Sequence, residues 1–395
     1  MQPPDPLATP QMKLTISVGH GGFVILCSMT FRVFATCDIG KEALDRLRQK
    51  GWQVEVYDHI EPPPKSLILE KVKGGVDALV TTLRDQIDDE VLAAGKAAQL
   101  KVVAQDAVGF DNIDRASANK HKVPFSNTAD VLTDATAEFA FVIMGTVARM
   151  TWPSEQMVRE QTWSTWHPYH PWLGDEVTGK TVLVVGTGRI GKSFIKKAVG
   201  FDMDVLCYDP AFQDAKFVES VRRVMQVRHE EGLSTRRQTI AYVPFEEGLG
   251  RADFVTLHVN LTRPGEAAEP TYHLMDERRL RLMKRTAYLV NTSRGPVVDE
   301  NALARALTEG WIGGAALDVF ETEPLPADSP LRDEALKLKL RMFHHFASAG
   351  RATRLSPDPN VGMAGRAVQA VIDVLERRYE GDPKKMPYVV NKEGF

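Results

Sequence analysis

The sequence predicts an α/β chain built from two doubly wound, parallel-sheet units in tandem. From Phe31 onward, strand-like and helix-like runs alternate, the pattern of a parallel sheet covered by helices. The run Thr181-Val182-Leu183-Val184-Val185 is apolar except at its start, as a strand buried on both faces requires. The chain has 395 residues, and at roughly 100–200 residues per domain this length suits two or three domains.

The first strand falls at residues 31–36. A helix follows over 41–50, in which Leu44 and Leu47 share a face and Gly51 marks the stop. Further strands are expected at 53–57, 77–82, 101–104 and 123–126, with helices at 67–72, 89–97 and 115–120 between them. A long helix over 135–150 closes the first unit. The second unit opens with strand 181–185 and continues through strands at 204–208, 254–258, 286–290, 314–319 and 340–343. Its helices are expected at 190–199, 276–283 and 301–309. Residues 211–241 break the rhythm and read as a solvated excursion with little periodicity. Residues 151–180 gather four of the six tryptophans, Trp152, Trp163, Trp166 and Trp172, which suits core or interface packing.

Composition narrows the function classes. With 49 Lys and Arg against 52 Asp and Glu, the formal charge is −3, which gives bulk electrostatics no hold on a nucleic acid. Cys27, Cys37 and Cys207 are too few and scattered for a disulfide framework or a cysteine-rich metal site, so a reducing, cytoplasmic setting and no metal are expected. No apolar run approaches the roughly 18 residues of a membrane span. Residues 1–28 hold Pro3, Pro4, Pro6 and Pro10 and lack the basic start and long apolar centre of a secretory signal. They read as a dispensable leader ahead of Met29.

Gly186-Thr187-Gly188-Arg189-Ile190-Gly191 matches the Gly-x-Gly-x-x-Gly pattern directly after one strand and at the opening of a helix, the context that makes the pattern informative. Gly186 permits the tight turn, Gly188 lets the backbone approach a pyrophosphate, and Gly191 lets helix and strand pack closely. The helix N-terminus supplies amide donors for the phosphates. Asp209 ends the next strand, 18 residues beyond Gly191. A carboxylate there can accept from an adenosine ribose and repel a 2′-phosphate, favouring NAD over NADP; the other reading is a plain turn with Pro210. Arg222, Arg223 and Arg228 lie nearby and keep NADP in view.

Three later segments carry the chemistry. Arg294, in Asn291-Thr292-Ser293-Arg294-Gly295, sits just past a strand end, and its planar guanidinium can grip a carboxylate with two hydrogen bonds. Glu323 closes Asp318-Val319-Phe320-Glu321-Thr322-Glu323-Pro324, again at a strand end. The third is Phe343-His344-His345-Phe346-Ala347-Ser348-Ala349-Gly350. Singly, each could be structural. Together, Arg, Glu and His after successive strands of a nucleotide fold suit a reductase.

In this order the glycine turn and these three segments resemble the D-isomer-specific 2-hydroxyacid dehydrogenases, over nearly the whole chain from about Phe31 to Asn391. The resemblance implies a Rossmann NAD-binding domain inserted into a flavodoxin-like substrate domain. The substrate domain is then 29–150 with 346–395, the cofactor domain 151–345, and Met363–Arg378 a helix that rejoins the first domain. It implies that Arg294 binds the carboxylate and carbonyl of a small 2-keto or D-2-hydroxy acid, that His345 is the acid/base, and that Glu323 pairs with His345. Asp318 would hold the nicotinamide carboxamide, and Val108 and Gly109 would offer backbone amides to the substrate carboxylate. Gly186, Gly188, Arg189, Ile190, Gly191 and Asp209 would form the cofactor site. The chemistry agrees: hydride delivery to a 2-keto carbon leaves an alkoxide, and an imidazolium is the natural proton donor near neutral pH, worth roughly 10²–10⁴ in rate.

Within the family the look is toward glyoxylate/hydroxypyruvate reductases, through Val131-Leu132-Thr133-Asp134-Ala135-Thr136-Ala137-Glu138 and Trp163-Ser164-Thr165-Trp166. In those dimers a tryptophan matching Trp166 reaches the neighbouring subunit's site, which implies a homodimer here. His344 stands where the family has proline, and Asn260 likewise replaces a customary proline. Glutamine in place of Glu323 would mark a formate dehydrogenase. Two alternatives share the fold: a phosphoglycerate dehydrogenase, near whose phosphate site Arg84 lies, and an NAD-sensing corepressor that keeps the same Arg, Glu and His.

Overall fold

The structure, a computed structural model, describes residues 12–19, 22–169 and 173–395. The four prolines of the expected leader, His20 and Trp172 lie outside the described residues. Within the expected leader, β1 (Met12–Gly19) and β2 (Gly22–Met29) pair as an antiparallel hairpin. Thr15, Ile16, Val18, Val24 and Ile25 give these segments the β-branched content of strands.

Two compact units follow from the packing: Met1–Leu132 with Ala349–Phe395, and Thr133–Ser348. The first holds β3 (Arg32–Ala35), α1 (Lys41–Arg48), β4 (Gln53–Val56), α2 (Lys65–Lys73), β5 (Ala78–Thr81), α3 (Asp89–Ala98), β6 (Val102–Gln105), α4 (Arg115–Lys120) and β7 (Phe125–Ser126). Its five parallel strands run β4-β3-β5-β6-β7, the order of flavodoxin-like sheets. Asp88 and Asp114 cap α3 and α4 by accepting from Val91 and Ser117 N–H groups.

The second unit holds α5 (Thr133–Ala148), α6 (Thr151–Arg159), β8 (Thr181–Val185), α7 (Arg189–Gly200), β9 (Asp204–Tyr208), α8 (Ala215–Glu230), β10 (Ile240–Tyr242), α9 (Phe245–Arg251), β11 (Phe254–Leu257), α10 (Glu277–Leu280), β12 (Tyr288–Asn291), α11 (Glu300–Glu309), β13 (Gly314–Leu317) and β14 (Leu340–Met342). Its seven parallel strands run β10-β9-β8-β11-β12-β13-β14, the Rossmann order extended by one strand. Along β8, Val182 and Val184 enter one core with Phe194 and Ile195 of α7, while Leu183 and Val185 enter another with Leu303 and Leu307 of α11. Alternate residues thus feed two buried faces, which is why the strand reads as continuously apolar. The chain then returns to the first unit through α12 (Arg351–Leu355) and α13 (Met363–Leu375), whose Ala367, Val368 and Val371 pack with Val33, Val80 and Ala104.

Three expectations are corrected. The border expected after residue 150 lies at Leu132/Thr133, because α5 puts Ala140, Ile143, Met144 and Val147 into one core with Val184 and Phe194. The border expected at 345/346 lies at Ser348/Ala349, because Phe346 and Ala347 are bonded to Asp318. The 211–241 segment is no loose excursion: Val218, Val221 and Met225 of α8 are buried, at helical spacing, and Ile240 of β10 joins the same core. Among the described residues, no helix is long and apolar enough to cross a membrane.

Candidate active site

The glycine turn links β8 to α7 beside β11, at the point where successive strands leave on opposite sides of β8. Gly186 has φ 91° and a Cβ there would lie 2.7 Å from the His258 carbonyl, so only glycine fits. A Cβ on Gly191 would lie 2.0 Å from the Gly186 oxygen, which brings helix and turn into direct contact. Gly188, the helix N-cap, meets nothing within 4 Å, so protein atoms crowd the two outer glycines and leave open the middle one. This cradle fits a dinucleotide pyrophosphate at a helix N-terminus. Arg189 opens α7 on the exposed side, and Ile190 packs its side chain toward the core.

Asp209 stands against this turn. Its Oδ2 accepts the Thr187 N–H at 2.7 Å, and its Oδ1 accepts from Ala211 and Phe212 N–H at 2.9 and 3.0 Å. The carboxylate thus makes the Asp-Pro turn and also holds the glycine turn. Thr187, the polar residue inside the glycine pattern, is the one that meets this carboxylate. Its hydroxyl also bonds the Tyr242 hydroxyl, at 2.8 Å.

Arg294 follows β12, Glu323 follows β13 and His345 follows β14, three adjacent strand ends in one sheet. His345 Nδ1 lies 2.8 Å from Glu323 Oε2. The other Glu323 oxygen accepts the Phe320 N–H at 3.0 Å, which folds the loop back on itself. Burial opposes ionisation of Glu323, but the hydrogen bond and charge of His345, with help from Arg294, hold its carboxyl below the usual carboxylate range. Arg294 is partly buried, and its Nη1 donates to the Ser293 carbonyl at 2.6 Å. Of the two adjacent histidines, His345 meets the glutamate; the His344 ring lies exposed beside Phe346.

Asp318, the residue expected to hold the nicotinamide carboxamide, is also tied to the protein backbone. It is fully buried, and its two oxygens accept from the Phe346 and Ala347 N–H groups at 2.6 and 2.8 Å. Burial pushes its carboxyl upward against these bonds. It therefore supports the loop that carries His345. In the first unit, Val108 and Gly109 lie just past β6, with their carbonyls held by Asn127 and Gln105. Trp166 lies after α6 and is largely exposed.

Comparison with known proteins decides the family. Residues 141–338 match the family described as D-isomer specific 2-hydroxyacid dehydrogenase, NAD binding domain. A glyoxylate reductase of Korarchaeum cryptofilum is 45% identical over 325 residues, 82% of this chain and 88% of that protein. The chain belongs to the D-isomer-specific 2-hydroxyacid dehydrogenases. A glyoxylate reductase of Thermococcus litoralis is a further relative of this dehydrogenase, 40% identical over 82% of this chain and 89% of its own. A crystal structure of a Thermus thermophilus protein superposes with a TM-score of 0.76 at 35% identity, covering 91% of this chain and 100% of that one. D-lactate dehydrogenase of Aquifex aeolicus, solved with NAD and lactic acid, shares the fold at a TM-score of 0.71 and 24% identity, over 91% and 99% of the two chains. The dehydrogenase is an oxidoreductase of 2-hydroxy and 2-keto acids with a nicotinamide dinucleotide domain in residues 141–338.

Proposed function

We propose that the dehydrogenase reduces glyoxylate or hydroxypyruvate with NADH. The reading is carried by the 2.8 Å pairing of His345 Nδ1 with Glu323 Oε2, beside the strand end that bears Arg294. An ionised carboxylate only accepts, so Nδ1 carries a proton and Nε2 is the nitrogen that passes one to the substrate oxygen. Glu323 fixes the orientation of the ring through this bond. Arg294 orients the substrate by its carboxylate and carbonyl. Bound NADH supplies the hydride to the 2-keto carbon. In the first unit, the same reading gives Val108 and Gly109 the role of carboxylate-binding backbone amides, and that unit the role of substrate domain. The glyoxylate reductases among the relatives support the substrate class. The Asp209 carboxylate beside Thr187 supports NADH over NADPH, through its repulsion of a 2′-phosphate.

Trp163, Trp166 and Tyr169 are 59, 78 and 83% exposed, and rings of this kind are enriched at protein interfaces. They support a homodimer, which sedimentation in solution tests; a monomer at working concentration overturns it. The free thiols of Cys37 and Cys207 support a reducing, cytoplasmic setting.

The deciding experiment compares kcat/KM for glyoxylate, hydroxypyruvate, pyruvate and 3-phosphohydroxypyruvate with NADH and NADPH. NADH-linked preference for one of the first two is expected. No turnover with any acid, alongside tight NADH binding, sinks the enzymatic reading. A His345→Ala chain that binds NADH and keeps full turnover sinks the assignment of the proton donor.

A further inference from the structure

Two loops carry the acid–base pair and the substrate arginine, and residues outside that chemistry join them. Glu321 N–H donates to Glu300 Oε1 at 2.6 Å, and Glu300 N–H donates to Glu321 Oε1 at 3.1 Å. Each carboxylate therefore closes on the other residue's backbone. The His273 backbone N–H donates to the Pro296 carbonyl at 2.8 Å, and its ring Nε2 lies 3.2 Å from the same Glu321 oxygen without a hydrogen bond. Beneath the pair the two backbones touch: a Cβ on Gly295 would lie 1.8 Å from the Phe320 carbonyl carbon. Gly295 is the residue after Arg294, and Glu321 is two residues before Glu323. Burial first, and then the carboxylates of Glu321 and Glu323, push the Glu300 carboxyl upward, so the pair also lies within the electrostatic reach of Glu323.

We propose that Glu300 and Glu321 are positioning residues, whose reciprocal carboxylate–backbone exchange sets the Glu323–His345 pair against Arg294. The proposal rests on the reading of His345 as proton donor. Glu323 is tied internally to the Phe320 N–H, so the short turn 320–323 moves as a piece. The Glu321 N–H in that turn is anchored by Glu300, at the start of α11, which follows the arginine loop. Release of the anchor lets the turn shift relative to Arg294. A displacement of about 1 Å in a reacting group costs on the order of 10² in rate.

A plainer role exists for the same carboxylate. An acid in the first turn of a helix stabilises it by charge, whatever the side chain's reach. The two roles order conservative variants differently. Gln keeps the length and the accepting oxygen but loses the charge; Asp keeps the charge and falls a methylene short. Glu300→Gln, Glu300→Asp and Glu300→Ala should be compared in the full chain by kcat with glyoxylate, NADH affinity from fluorescence, and Tm. We expect Glu300→Gln to keep kcat within about threefold, and Glu300→Asp and Glu300→Ala to lose about 10²-fold. NADH affinity should stay within about twofold in all three, since the anchor lies outside the glycine turn. The proposal is overturned if kcat follows charge, with Asp near native and Gln near Ala, or if kcat is unchanged while only Tm moves. Should the Ala variant not fold, the Gln and Asp pair decides alone. The native chain is the control for the underlying reading: if it turns over no keto acid, or if His345→Ala keeps full rate, that reading has failed, whereas a native enzyme with charge-ordered Glu300 variants fails the positioning proposal alone.

Discussion

His345 hangs from Asp318. The histidine N–H donates to the Asp318 carbonyl at 2.8 Å, and the Asp318 carboxylate accepts from the next two N–H groups, of Phe346 at 2.6 Å and Ala347 at 2.8 Å. His345 itself is held at φ 56°, a left-handed conformation uncommon outside glycine, though histidine is among the residues that adopt it more readily. The end of β13 thereby places the imidazole.

Asp318→Asn keeps one accepting oxygen and turns an amide NH₂ toward a backbone N–H. We expect kcat to fall by about 10–10²-fold with NADH affinity unchanged, as a misplaced proton donor would give. Raised NADH Kd with native kcat at saturating cofactor would assign Asp318 the nicotinamide-holding role implied by the family resemblance instead.

Gly188 separates fold from cofactor binding. Its φ of −68° is open to any residue, and an added Cβ meets no protein atom within 4 Å. Gly188→Ala should keep the native Tm within a degree or two while weakening NADH by at least about tenfold, since the methyl occupies the phosphate approach. Gly191→Ala, by contrast, meets the Gly186 oxygen and should lower Tm as well. Equal NADH affinity in Gly188→Ala would remove the pyrophosphate from this turn.

Glu323 sets an acid limit to turnover. Its folded-state carboxyl titrates below the ordinary range, so the support it gives His345 is present above that range and is lost only as pH falls through the lowered value. The kcat profile for reduction should therefore stay flat through about pH 4.3, the free glutamate value, wherever circular dichroism shows native structure. Glu323→Gln should remove that limb and cut kcat by roughly 10²-fold. A native acid limb centred above the free value would count against the ion pair.

Asp106, just past β6, is partly exposed as a residue, yet its Oδ1 is buried with no hydrogen-bond partner. Burial pushes this carboxyl up to about 7, with the Arg354 charge acting in the opposite sense. The unfolded chain then releases the proton first, so stability should decline as pH climbs from about 4 to 7 and level off above. Asp106→Asn should raise Tm at pH 8 and leave it near native at pH 4. An equal change at both values would show that the carboxyl titrates normally.

Strands 181–185 and 204–208 and helix 115–120 lie where the sequence places them, because strong local patterns and turn residues bound them. Helix α5 shows where local pattern stops: its apolar residues announce burial but not which sheet they cover. The α8 helix was hidden by its charge, since counting Arg and Glu over 211–241 obscures the spacing of Val218, Val221 and Met225. At the site, Arg294, Glu323 and His345 were legible as chemical types after strand ends. For Asp318 the backbone bonds to Phe346 and Ala347 were not legible, because a carboxylate at a strand end carries no sign of the distant N–H groups it accepts from. The Glu300–Glu321 exchange, between residues distant in the chain, leaves no local trace at all.

The return of the chain to its first sheet has a consequence for synthesis. One face of that sheet, including Val33, Val80, Val102 and Ala104, takes part of its cover from Ala364, Ala367, Val368 and Val371 of α13. On the ribosome the strands emerge early, and their cover emerges only after the whole of Thr133–Ser348 has been made. That intervening unit is continuous and can close as soon as it is complete, whereas the first must wait for the last helix with apolar surface open to chaperones and to other chains. A premature stop soon after Ser348 would accordingly release a finished nucleotide unit tethered to an uncovered sheet, a species prone to aggregate.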